Sequence, residues 1–420
     1  MLLVRLRRWA RQHGWIVPGA YVLLSIALAY TLAMIDTAHP IRGVRPIERS
    51  AAEQLFGAIA TGMIAFTGIV FSVSLLVTQS WNASFSMRLI QWLRQAPLWG
   101  HAVGVFSATF VYALVALTVL GRTADTSLVL TEAGAISLLL ASVLFFLLLL
   151  YGTLRQMNLS YVIDLIGRAG RVAIDDLYGD PGDAEAPAGA DLAALAETGA
   201  LVHRGPPRVV AAIHFTRLVD LATKAEARIE VEVGVGDTVP DGAVIARIVG
   251  GPIPPERLRS AFLLGTERTM EQDPKLALRL LADVAIKALS PAVNDPTTAV
   301  QALDQIEDLL LRIGQRRLDL GRLVGARGYT RVTYPAPTWD DVLALGTDEI
   351  RLYGRTSLQV VRRLRLLLLR LEEAVTEDRR PAVRDRLQRL DEAVEAEFDG
   401  ADLGDARRPD PQGLGLSRAA

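Results

Sequence analysis

The chain has 420 residues, 51% of them hydrophobic, and a formal net charge of −1. This apolar content is too high for an ordinary soluble protein, so we expect part of the chain to lie in lipid. The near-neutral net charge gives no sign of the basic surface that nucleic-acid binding needs. The absence of cysteine excludes disulfides, thiol catalysis and thiolate metal sites.

Apolar residues are concentrated in the first 152 positions and charged residues after them. A helix needs about 20 apolar residues to cross the hydrocarbon core of a bilayer. Four segments without lysine or arginine meet this need: Ile16 to Ile35, Leu55 to Gln79, Leu98 to Leu120 and Val129 to Gly152. The sequence therefore predicts an α-helical membrane protein, with a basic N-terminus over 1–15 and a four-helix transmembrane domain over 16–152.

The first span also has features of a cleaved signal peptide, because arginines precede it and Ala27-Leu28-Ala29 resembles a cleavage site. We favour an uncleaved anchor, since the apolar run is long for a signal and continues past that site. Nine arginines lie near the spans on the side of the two termini, against four on the other side, Arg42, Arg45, Arg49 and Arg122. Cytoplasmic loops carry the excess of basic residues, so both termini are predicted to be cytoplasmic.

The second span carries two polar stripes. On a helix of 3.6 residues per turn, the members of the first stripe lie within about 20° of one line, and the second stripe lies about 120° away. The first contains Thr61, Gly68, Ser72 and Gln79, and the second Thr67, Ser74 and Thr78. One interpretation is helix packing through small residues, which the spacings of Gly57 and Thr61 and of Gly68 and Ser72 favour. The other is that one stripe lines a hydrated path.

After the spans the composition changes. We expect a juxtamembrane helix and a flexible Gly- and Pro-rich linker over 153–205. Short apolar strands then alternate with the turns Gly236-Asp237 and Asp241-Gly242, which predicts a small β module over 206–252. This stretch resembles the hairpin of biotinyl-type barrel sandwiches, but no lysine follows Ile248 where such carriers are modified. The predicted aqueous domain is therefore α+β, with a barrel-sandwich-like module followed by helices.

A helical module is predicted over 253–335, and its two main helices meet at the corner Ser-Pro-Ala-Val-Asn-Asp-Pro. Asp295 is placed to cap the second helix, with Pro296 in its first turn, while Pro291 stops the first helix. Asn294 tolerates the left-handed conformation that such a corner needs. The alternative is that Asn294 and Asp295 bind a small ligand or cation with the free amides of the helix start.

Two stretches carry a family resemblance: Gly265 to Pro274, Gly-x-x-Arg-Thr-x-x-Gln-Asp-Pro, and Ala288 to Ala299, Ala-Leu-Ser-Pro-Ala-Val-Asn-Asp-Pro-Thr-Thr-Ala. Together with Phe71-Ser72 and Phe85-Ser86-x-Arg88, they resemble the DUF2254 family of bacterial membrane proteins of unknown function. The likeness covers most of residues 16 to 375, although Met87 stands where many members have proline. The resemblance implies a four-span protein of the bacterial inner membrane with a cytosolic domain, and it supplies no substrate or catalytic residue.

Several polar residues of the helical module are candidates for a site. Asp283 and Lys287 are four residues apart and can pair across one helical turn. The candidate ligand site, or else a polar network that stabilises the corner, comprises Arg268, Asp273, Asp283, Lys287, Asn294 and Asp295.

The C-terminal helices are predicted over 336–400, with one helix from about Trp339 to Val375 and another from Pro381 to Phe398. Four arginines fall within a band of roughly 80° on the first helix, a solvated face or a subunit contact. They are Arg351, Arg355, Arg362 and Arg365. The Gly- and charge-rich segment 401–420 is expected to be a disordered tail.

No phosphate loop, dinucleotide fingerprint, nucleophile elbow or zinc-protease motif is present, so neither an enzyme nor a cofactor is expected. Two interpretations remain. The first is a homo-oligomeric, channel-like protein whose cytosolic domain responds to a ligand or partner; the second is a membrane-anchored sensory or scaffolding protein. The expected partners are the lipid bilayer, further copies of the chain and a small ligand or ion of unknown identity.

Overall fold

The computed structural model describes residues 16–39, 48–84, 89, 98–122, 128–178, 190, 196–318 and 321–415. The predicted basic N-terminus, most of the predicted linker and residues 416–420 lie outside this part. The chain divides into two compact units, Met1–Asn158 and Leu159–Ala420.

The first unit contains four long helices, α1 (Ile16–Ala38), α2 (Arg49–Ser84), α3 (Leu98–Leu120) and α4 (Val129–Met157). Each contains a segment long and apolar enough to cross a membrane, which confirms the four predicted spans. The helix α2 has 36 residues and is therefore about 54 Å long, well beyond the roughly 30 Å of a hydrocarbon core.

The core of this bundle contains both large aromatic and small side chains. Phe56 of α2 and both Phe106 and Tyr112 of α3 are fully buried. Small residues let helices approach closely: a Cβ at Gly104 of α3 would lie only 2.6 Å from a ring carbon of Tyr21 in α1.

The bundle also contains buried hydroxyl groups. The hydroxyls of Thr109 in α3 and Ser142 in α4 are 2.8 Å apart, and each also lies 2.9 Å from a carbonyl of its own helix. Both hydroxyls therefore have hydrogen-bond partners inside the bundle, as burial in lipid requires.

The second unit is a mixed α/β region. It begins with the amphipathic helix α5 (Leu159–Tyr178). Its strands are β1 (Glu197–Val202), β2 (Arg208–Ile213), β3 (Ala227–Val231), β4 (Thr238–Val239), β5 (Val244–Gly250), β6 (Phe262–Gly265), β7 (Arg322–Val324) and β8 (Thr330–Thr333). Its later helices are α6 (Phe215–Lys224), α7 (Pro255–Arg259), α8 (Pro274–Ala288), α9 (Pro296–Gly314), α10 (Trp339–Gly354), α11 (Leu358–Ala374), α12 (Arg380–Glu397) and α13 (Gly400–Ala406).

The strands form two sheets, one in the order β1-β5-β3-β8-β7 and the other in the order β4-β2-β6. The pair β3 and β8 is parallel, and the other described pairs are antiparallel. Ile229, Ile245 and Leu218 are fully buried in their core. The predicted module over 206–252 holds β2 to β5, but the sheets also include β1, β6, β7 and β8. The two predicted turns are present, and their glycines, Gly236 and Gly242, have φ of 92° and 82°.

The helix α5 packs against α8 and α9 through two glycines. A Cβ at Gly170 would lie 2.8 Å from the Cβ of Ala277 in α8, and one at Gly167 would lie 2.8 Å from the side-chain amide carbon of Gln305 in α9. The charged face of α5 also contacts α9, because Arg171 donates to Asp308 at 2.9 Å. The predicted juxtamembrane helix is thus a full member of the helical layer.

The single helix predicted from Trp339 to Val375 is wrong, because α10 ends at Gly354 and α11 begins at Leu358. The break depends on a close approach: a Cβ at Gly354 would lie 2.5 Å from a methyl group of Val360. Of the four arginines of the predicted band, Arg351 therefore lies in α10, Arg355 directly after it, and Arg362 and Arg365 in α11. Arg362 is buried and donates to the carbonyl of Asp405 at 2.7 Å, so it faces neither solvent nor another subunit.

The disorder expected over 401–420 was also wrong as far as the structure describes this segment. Residues Gly400–Ala406 form α13, and Ala406 is fully buried. The following turn is fixed by Asp410, whose carboxylate accepts from the backbone amides of Gln412 and Leu414. Composition alone predicts disorder here because the partner that orders the segment, Arg362, is distant in sequence.

Candidate functional site

The first polar stripe of α2 points away from its own bundle. Thr61, Gly68, Ser72 and Gln79 are all exposed. The buried residues of α2 lie on the opposite side, about 180° away. They are Ala52, Phe56, Ile59, Ala60, Met63 and Val70. A single chain therefore places this stripe against lipid or against another molecule.

The second stripe lies beside the buried face of α2. Thr67 is half-buried and donates to the carbonyl of Met63 at 2.7 Å. The side chains of Ser74 and Thr78 lie outside the part of the chain that the structure describes. Of the two stripes, the first is the better candidate for a shared surface.

Gly57 and Gly68 of α2 do not mediate close packing inside the described part of the bundle. Nothing in that part lies within 4 Å of a Cβ built at Gly57 or at Gly68. The hydroxyl of Ser72 donates to the carbonyl of Gly68 at 2.9 Å, so its hydrogen bond is made within the helix. Whatever these small residues pack against is therefore not another described helix of the same chain.

A buried acidic residue near the end of the first span was missed by the sequence analysis, which ended that span at Ile35. Asp36 is 1% exposed and accepts hydrogen bonds from the amides of Leu130 and Thr131, at 3.0 and 2.9 Å. The Thr131 hydroxyl donates to the same carboxylate at 2.9 Å. Asp36 thus caps the start of α4 from a different helix, a role that no local pattern reveals.

The six polar residues proposed for one site do not converge. Asp273 precedes α8 and Asn294 and Asp295 follow it, so the two groups are separated by about 22 Å of helix. Asp283, in the middle of α8, accepts a hydrogen bond from Arg279 at 2.8 Å.

At the corner, Asp295 caps the helix α9, as the sequence predicts. The carboxylate of Asp295 accepts from the amide of Thr298 at 3.1 Å and from its hydroxyl at 2.6 Å. Asn294 has φ of 48°, in the left-handed region. The amide of Asp295 donates to the carbonyl of Ala288 and so closes the end of α8.

Arg268 and Asp273, the other end of the predicted set, do form a pair. The side chain of Asp273 is fully buried, and one of its oxygens, Oδ2, accepts two hydrogen bonds from Arg268, at 2.8 and 2.6 Å. Glycine is needed beside them, because a Cβ at Gly236 would lie 2.5 Å from the same oxygen.

The surrounding motif fixes this pair to the C-terminal part of β2. The amide of Ile213 donates to the side chain of Gln272 at 2.9 Å, and Thr269 donates to the carbonyl of Ala211 at 3.1 Å. Burial raises the pKa of Asp273 above its ordinary value of 3.8, although the positive charge of Arg268 opposes the shift. The Arg-Thr-x-x-Gln-Asp-Pro stretch therefore builds a buried polar site.

Four long apolar helices followed by a separate α/β unit are the features of a membrane protein with a second, folded domain. The chain belongs to the DUF2254 family, described as predicted membrane proteins, whose model matches residues 11–370. It is 25% identical over 406 residues to uncharacterized proteins of Mycobacterium bovis and Mycobacterium tuberculosis, which covers 91% of this chain and 76% of each relative. No solved structure matches the chain.

Proposed function

We propose that this is a homo-oligomeric, channel-like protein of the bacterial inner membrane, with both termini in the cytoplasm and the second unit as a cytosolic regulatory domain. The observation that carries the proposal is the exposed polar stripe of Thr61, Gly68, Ser72 and Gln79, directly opposite the buried face of α2. The proposal assigns no catalytic step to the chain.

Four spans in one chain leave this stripe on the outside of the bundle, so a hydrated path along it requires further copies of the chain. Symmetric assembly of several copies would place α2 of each subunit around a common axis. The described part of the stripe carries hydroxyl, amide and small side chains, which suit passage of a solute or ion without a buried ionisable group.

The test is single-channel recording of the purified protein in planar bilayers, comparing the wild type with Ser72→Leu. The substitution places a bulky apolar group on an exposed position, so it should abolish the current and leave the subunit folded. Ile69→Leu is the matched control, since Ile69 is exposed on the same helix but lies about 80° around the helix from the line of the first stripe. Currents that are identical in Ser72→Leu and the wild type would refute the proposal that the first stripe lines a pore.

A second candidate is a membrane-anchored sensory or scaffolding protein. It is favoured by the second unit, which is compact by itself and has its own buried core. Absence of current from the wild type under varied voltage and salt would favour this alternative over the channel.

A further inference from the structure

A cleft in the second unit contains polar atoms that the fold does not use. It is lined by the C-terminal end of α5, the end of β2, the start of α8 and the segment after β8. The cleft, including its open mouth, has a volume of about 510 Å³. This volume suits a small organic molecule.

Two of the lining residues carry buried polar atoms that have no hydrogen-bond partner in the described part of the chain. These atoms are Oδ1 of Asp273 and the hydroxyl oxygen of Tyr178. The Arg268 pairing is consistent with the first, because Nε and Nη2 of Arg268 both donate to Oδ2 rather than to Oδ1. Such atoms cost free energy when buried without a partner, so a ligand that supplies those hydrogen bonds would be favoured in this cleft.

The charges of the cleft favour a neutral ligand over a cation. The carboxylate of Asp273 is already paired with Arg268, and Lys275 also lines the cleft. The neighbourhood of Oδ1 therefore has no excess of negative charge. Burial raises the pKa of Tyr178, so its phenol stays protonated and can donate a hydrogen bond.

The rest of the wall is apolar. The rings of Phe215 and Tyr334 pack with their centroids 4.4 Å apart, and both line the cleft. Ile213, Pro335 and Pro337 complete this surface. Aromatic and proline faces of this kind bind an apolar ring or chain.

We propose that the cleft binds a small neutral molecule that carries a hydroxyl group on an apolar body. Its O–H donates to Oδ1 of Asp273, its oxygen accepts from the hydroxyl of Tyr178, and its apolar part packs against Phe215 and Tyr334. Binding itself requires no conduction; a regulatory effect of binding rests on the channel-like function proposed above.

The experiment titrates the full-length protein in lipid nanodiscs with 4-fluorophenol and, in parallel, with 4-fluorotoluene, followed by ¹⁹F NMR. The two probes have the same shape, but only the phenol has the O–H group. Tyr178→Phe keeps the aromatic ring and removes a hydroxyl that has no described protein partner, so the fold should be unaffected. We expect Tyr178→Phe to weaken the binding of 4-fluorophenol at least about threefold, the loss of one hydrogen bond.

Two controls distinguish binding in the cleft from partition of the probe into lipid and from binding elsewhere on the protein. Binding of 4-fluorotoluene should be the same in the wild type and in Tyr178→Phe, since it reports only apolar contact and partition into lipid. Tyr329→Phe, at a tyrosine that is 40% exposed and outside the cleft lining, should leave both probes unchanged.

The proposal is overturned if 4-fluorophenol binds equally to the wild type and to Tyr178→Phe, or no better than 4-fluorotoluene, since the cleft then does not recognise a hydroxyl group. Selective binding without current would refute the channel alone, and current without selective binding would refute this site alone.

Discussion

Replacement of Asp36 by alanine should destabilise the transmembrane unit more than any loss of a surface charge. The carboxylate accepts three hydrogen bonds, from two amides and one hydroxyl at the start of α4, and the residue is 1% exposed. Loss of a helix cap costs about 0.5–2 kcal/mol, and a buried donor left without a partner costs about 1–3 kcal/mol. We therefore expect Asp36→Ala to lower the free energy of unfolding by about 3 kcal/mol.

The assay is thermal unfolding in detergent followed by tryptophan fluorescence. Five of the six tryptophans, all except Trp339, precede residue 100, so the signal reports chiefly on the first unit. A loss of about 3 kcal/mol corresponds to a fall in Tm of roughly 6–12 °C for a unit of this size. Asp36→Asn keeps one acceptor oxygen and should fall between the alanine variant and the wild type. A Tm within 1 °C of the wild type for Asp36→Ala would refute the reasoning.

Two further predictions concern the second unit. Asp295→Ala should cost about 1 kcal/mol in urea unfolding because it removes the cap on Thr298, and Asp295→Asn should retain most of it; equal loss in both variants would contradict a capping role. The pKa of Asp273 is raised by burial, so the folded state holds this proton more tightly than the unfolded state. The contribution of Asp273 to stability should therefore be largest below pH 3.8 and decline as the pH rises through the raised pKa. In urea melts over a pH series, the free energy of unfolding of the wild type minus that of Asp273→Asn should decrease accordingly. A difference that grows with pH over that window would contradict the predicted direction.

The elements that the sequence predicts well are those with local causes. An uncharged apolar run of helical length identifies each span, because the bilayer sets the length requirement. The corner is equally local: Asp295, Pro296 and Thr298 lie within four residues, and each acts on its neighbours. Part of the candidate site was predicted for the same reason, since Arg268 and Asp273 are five residues apart.

The features that sequence reasoning missed depend on contacts between distant residues. Asp36 caps a helix that begins more than 90 residues later, and β8 pairs with β3 across about a hundred residues. The break after Gly354 has no proline to announce it and depends on Val360 and the packing of the two helices. Tyr178 belongs to the cleft only because α5 ends against the start of α8, and neither periodicity nor motif carries that information.

The helix α5 gives the two proposals a common physical element. It begins one residue after α4 ends, with only Asn158 between them, and its last residue, Tyr178, lines the cleft. Its glycine contacts with α8 and α9 leave no space for gradual sliding, so packing of this kind changes in discrete steps or not at all. A ligand that repositions Tyr178 would therefore act on α5 as a whole rather than on its last turn alone.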